Sequence, residues 1–182
     1  MKKLTTYAVV SAAVLTMLVA CGGGGGDSTP TAAPTANPFT ALAGIYKTGC
    51  IVNTSTKSRI DTLTIEAVTG SDKAAVRVQE IEYSDATCTN VSLDATASGD
   101  AVALASTKTI AGSGKTGVAS VAEFTYTALK LSKGSITASL PAFGTKGKGG
   151  YLIEGNKMYI LTGGLEADGL PKSFSTTTLT KQ

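Results

Sequence analysis

The chain has no histidine and no tryptophan, only six tyrosines and four phenylalanines for aromatics, and charged side chains at just 16% of its 182 positions. Without histidine there is no Ser-His-Asp or Cys-His activation of a nucleophile and no histidine-ligated zinc. The side chain that titrates nearest neutrality unaided is missing as well. The formal net charge of +3 drops to +1 if Lys2 and Lys3 are lost with a leader, so no basic surface for nucleic acid is expected. What the chain has in quantity is glycine, at 21 positions. Its length suits one domain, since single cores occupy roughly 100 to 200 residues. Composition therefore predicts a non-enzymatic, monomeric scaffold with no cofactor, no metal site and no catalytic residue. An enzyme working with carboxylates alone is the one catalytic class left.

Met1-Lys2-Lys3 is a short basic segment, and Tyr7 to Val19 is apolar except at Ser11 and Thr16. Membrane spanning takes about 20 apolar residues, so residues 1–20 read as a signal peptide. The stretch ends in Leu18-Val19-Ala20-Cys21, which resembles the lipobox of bacterial lipoproteins. That resemblance implies cleavage before Cys21, diacylglycerol on its sulfur, and further acylation by a chain such as palmitate. It also implies a membrane-anchored protein of a bacterial cell envelope. Gly22, standing where an aspartate would retain such proteins, implies the outer membrane, on its periplasmic or surface face. The alternatives are an ordinary secretory peptide with an incidental cysteine, or an uncleaved helix. From Cys21 to Pro38 glycines give way to Thr, Ala and spaced prolines, a composition that buries no apolar surface and predicts a tether.

Residues 39–182 form the expected domain. Leu63-Thr64-Ile65-Glu66-Ala67 and Glu123-Phe124-Thr125-Tyr126-Thr127-Ala128 alternate with period two, as half-buried strands do. Val76 to Tyr83 alternates and then slips phase at Gln79-Glu80, which predicts a β-bulge there. Gly155-Asn156 joins two apolar runs and predicts a tight hairpin with a primed turn. An opening strand near Ile45 to Val52 and a closing one at Phe174 to Thr180 bring the total to about eight to ten. These predict an all-β, antiparallel up-and-down barrel, because closure leaves no exposed sheet edge. A β-sandwich is the alternative.

Cys50 and Cys88 form an even pair once Cys21 is set aside, and in an oxidising compartment a disulfide bond between them is expected. A redox thiol or a metal ligand is the competing role. Ala43-Gly44-Ile45-Tyr46 is similar to the Gly-x-Trp opening of lipocalins, with Tyr46 in the tryptophan's place. The whole chain resembles small bacterial lipoproteins with a lipocalin-like domain, which implies an architecture more than an activity.

Gly112-Ser113-Gly114-Lys115-Thr116 lacks the first glycine of a phosphate loop, with Thr109 standing there; it reads as a hairpin loop. Gly144 to Gly150 reads as a solvated glycine-rich turn. If the two lie at one barrel end, Lys115, Lys146 and Lys148 would form a cationic rim. Glu66, Glu80, Glu82, Glu123, Glu154 and Glu166 are expected on outward faces, with no spacing that pairs two carboxylates. Leu63, Ile65, Val76, Val78, Phe124 and Tyr126 are the candidates for lining a ligand cavity, or else for filling a solid core. The expected function is a lipid-anchored binding module for a small apolar ligand or an envelope partner. A structural protein, or an inhibitor of a cell-wall-degrading enzyme, is the alternative.

Overall fold

In the computed structural model, which describes residues 37–112, 114–136 and 142–182, the alternating segments become nine strands. They are β1 (Gly44–Lys47), β2 (Ile51–Thr54), β3 (Lys57–Ala67), β4 (Lys73–Tyr83), β5 (Val91–Gly112), β6 (Lys115–Lys133), β7 (Lys146–Glu154), β8 (Lys157–Leu165) and β9 (Pro171–Lys181). All neighbouring pairs are antiparallel, and β1 pairs with both β9 and β3. That closes eight strands into an up-and-down barrel of lipocalin-like form, with β2 as an extra strand on β3. The sandwich alternative is thereby set aside. Cys21, the expected signal peptide and most of the tether lie outside the described residues.

Strands β1 and β2 use one edge of β3 in succession, β1 opposite Thr62 to Ile65 and β2 opposite Lys57 to Arg59. Thr48 sits in the break between them. Its amide donates to the Asp61 carbonyl at 3.0 Å and its hydroxyl accepts from the Asp61 amide at 2.9 Å. A side chain thus completes the ladder where the backbone departs from it. The expected disulfide is present between Cys50 and Cys88, tying this break to the β4–β5 loop.

The expected bulge at Gln79-Glu80 is absent. The β3–β4 ladder runs unbroken past it, and the β4–β5 ladder shifts only at Glu82/Tyr83. What reads as a phase slip is a polar residue, Glu80, kept on the inward face. The expected turn at Gly144 to Gly150 is also corrected, because β7 begins at Lys146. Gly150 serves close approach: a Cβ on it would stand 2.5 Å from Leu161 Cδ1. The Gly155-Asn156 hairpin forms as expected, joining Glu154 to Lys157, with positive φ at Gly155 and not at Asn156, the II′ pattern.

Two cores result. The barrel interior packs Phe39, Leu42, Tyr46, Ile65, Val76, Phe124, Tyr126, Tyr151 and Met158. A short 3₁₀ turn at Thr40–Leu42 brings Phe39 and Leu42 into it, and Asn37 Nδ2 fastens this segment by donating to the carbonyls of Val68 and Lys73, each at 2.8 Å. The second core gathers Ile110 and Ala119, from the far end of the long β5–β6 hairpin, against Leu161 and Phe174 with Leu152 and Tyr159.

Candidate binding pocket and its carboxylates

Every second residue of a strand shares a face, so the apolar inner face of β3 continues from Ile65 and Leu63 to Asp61 and Arg59. On β4 it continues from Val76 and Val78 to Glu80 and Glu82. The ladder sets Asp61 opposite Glu80 and Arg59 opposite Glu82. Opposed residues carry Cβ atoms only about 4.5–5.5 Å apart. Two carboxylates that no sequence spacing links are therefore brought side by side.

They line a cavity of about 110 Å³. One part of its wall is apolar, from Leu63, Val78, Ile160, Leu161 and Leu179. The rest is polar: Arg59, Asp61 and Glu80 with the hydroxyl-bearing Thr48, Thr62, Thr162, Ser175 and Thr177. Arg59 Nε lies 3.3 Å from Asp61 Oδ2, near enough to pair charge but not aligned as a hydrogen bond. Arg59 Nε and Asp61 Oδ1 are buried and have no hydrogen-bond partner among the described residues. An unpaired buried polar atom costs about 1–3 kcal/mol. Both atoms belong to side chains of the cavity wall.

Burial raises the Asp61 carboxyl above its ordinary range, with Arg59 opposing and Glu82 reinforcing. Glu80 is pushed up to about 7. Burial is the main cause; the Asp61 charge adds to it, Arg59 works against it, and Glu82 reinforces it. Asp85, in the β4–β5 loop, behaves oppositely. Its carboxylate accepts backbone N–H donations from Asn90, Thr87 and Thr89, which hold it well below the ordinary range. That loop is seated on Ser58, whose hydroxyl donates to the Asp85 carbonyl at 2.6 Å and accepts from the Cys88 amide at 3.2 Å.

Of the six residues expected to line a cavity, Leu63 and Val78 do. Ile65, Val76, Phe124 and Tyr126 are packed into the barrel core. The expected outward placement of the glutamates fails at Glu80, which lines the cavity, and at Glu82, which shares its face of β4. The cationic rim does not form. Lys115 pairs with Glu154 at the C-terminal end of β7 and lies over the Tyr159 ring. Lys146, at the other end of β7, pairs with Glu123 at 2.7 Å, and Lys148 donates to the Asp168 carbonyl at 3.2 Å. Each ammonium is drawn to a local acceptor instead of its fellows. Arg59, Asp61 and Thr177 escaped sequence reading, which names Glu80 but assigns it to an outward face; the available signal was the Gln79-Glu80 phase slip.

Comparison with protein-family models, curated proteins and solved structures finds no match for this chain.

Proposed function

We propose that the chain is a lipid-anchored, non-enzymatic binding module of a bacterial cell envelope, holding a small ligand at the Arg59–Asp61–Glu80 cavity. The observation that supports it is the mixed wall of that cavity, apolar on one side and lined on the other by Arg59, Asp61, Glu80 and five hydroxyl-bearing side chains. A void of about 110 Å³ is well below the roughly 300–1,000 Å³ of drug-sized sites. It suits a few heavy atoms, or the polar head of a longer molecule. The expected apolar ligand is thus narrowed to a small amphiphile. Anchoring rests on the lipobox-like Leu18 to Cys21, since more than one acyl chain makes membrane attachment stable.

Native mass spectrometry of the protein extracted from membranes in mild detergent tests the ligand. The expected result is a bound small molecule that is lost when Thr177 is changed to Phe. Crosslinking that instead captures a stoichiometric protein, with the cavity empty, favours the structural or inhibitor role. Cys21→Ser should abolish labelling by a clickable fatty acid and release the protein from membranes. Persistent labelling of that variant overturns the anchor.

One observation favours a second reading, the carboxylate-only enzyme. Asp61 and Glu80 share a cavity, and Glu80 exchanges its proton near neutrality, as a general acid or base requires. Recovery of a bound molecule chemically unchanged after long incubation speaks against it.

A further inference from the structure

Beside the cavity one guanidinium shares the inner face of the β3–β4 ladder with three carboxylates: Arg59 lies 3.3 Å from Asp61 and stands opposite Glu82, and Asp61 stands opposite Glu80. The elements around them bring no compensating charge among the described residues. β5 places Ala95 opposite Glu80 and Leu93 opposite Glu82. β8 and β9 present Thr162, Ser175 and Thr177 with apolar side chains, and the break after β1 presents Thr48. Three like charges in a partly buried site cannot all ionise cheaply beside a single cation, so one of them keeps a proton.

We propose that this cluster is a pH-operated charge switch inside the barrel wall. With Glu80 protonated, Arg59 leaves one carboxylate unbalanced. With Glu80 ionised, two are unbalanced and repel across the β3–β4 ladder. Proton loss therefore weakens the wall at the cavity and makes the cavity more anionic, while the filled core of the barrel is untouched.

Glu80 changes state at about 7 in the folded chain, against an ordinary value of 4.5. The folded chain thus binds the proton more tightly than the unfolded chain. The stabilisation is complete below 4.5 and is lost as the pH rises through about 7. A raised Asp61 adds to the same trend. The absence of histidine leaves this window almost free of other titrations.

Two measurements on the protein test the switch without any ligand. Carboxyl ¹³C NMR should show Glu80 titrating near neutrality. Urea denaturation should show the unfolding equilibrium constant rising about 100-fold from pH 5 to pH 8, with most of that rise gone in Glu80→Gln. A Glu80 midpoint in the ordinary carboxylate range overturns the proposal. So does a Glu80→Gln variant with the wild-type pH dependence. Should that variant not fold, the ¹³C titration of the wild-type protein decides alone. A titrating Glu80 in a protein that retains no small molecule leaves the switch standing and removes only the binding reading.

Discussion

Phe124 and Glu80 both belong to the inner wall of the same barrel, yet their surroundings are opposite. Phe124 lies so close to Gly99 that a Cβ there would stand 2.3 Å from its ring, and it is packed among aromatic and aliphatic neighbours. Glu80 borders a void whose wall also holds Arg59 and Asp61, and among the described residues Arg59 Nε and Asp61 Oδ1 make no hydrogen bond. Full burial of a large apolar side chain contributes roughly 1.5–3 kcal/mol, whereas an unsatisfied polar atom costs a similar amount. One alternation rule therefore builds a close-packed apolar region and a hollow, charged one in a single wall. Functional sites are commonly such local exceptions to good packing.

The largest expected effect tests the packed side. Phe124→Ala should lower the unfolding free energy by about 3–5 kcal/mol in urea titration; a loss below about 1 kcal/mol would mean that the core is not where the stability resides. Next comes the link between the β1–β2 break and the β4–β5 loop. Reducing Cys50–Cys88 should cost about 2–4 kcal/mol, and hydrogen exchange should quicken at Ile51 to Arg59 and Tyr83 to Asn90 but not around Phe124. Equal quickening in both regions would show one cooperative unit and dissolve the contrast. The smallest effect belongs to the surface: Lys115→Ala, losing both Glu154 and the Tyr159 ring, should cost at most about 1 kcal/mol. A larger loss would promote the second core, which this lysine borders, to a stabilising partner of the first.

These contrasts explain which parts of the molecule could be read from the chain. The packed side was legible because Leu63-Thr64-Ile65 and Phe124-Thr125-Tyr126 alternate cleanly, and the Cys50–Cys88 pair and the Gly155-Asn156 hairpin follow from local chemistry. The hollow side was not, because a polar residue facing inward looks the same in sequence as a change of face. Arg59-Ile60-Asp61-Thr62 invites the reading that Ile60 points in, when its neighbours do. The second core was hidden for a related reason. Leu152, Leu161 and Phe174 gather in a cluster separate from the main core, and the far end of the β5–β6 hairpin completes it with Ile110 and Ala119. That contact joins residues far apart in the chain and leaves no periodic trace.

Asn37 has a mechanical consequence. Its side chain grips the carbonyls at the turn joining β3 to β4, and Asp61 lies six residues back from the end of β3, roughly 20 Å along the strand. Among the described residues that amide is the first fastening met from the N-terminal side, at the end of the hairpin remote from the carboxylates. The hairpin is thereby fastened at its turn by the segment that enters the fold, and its carboxylate-bearing stretch lies on the far side of that fastening.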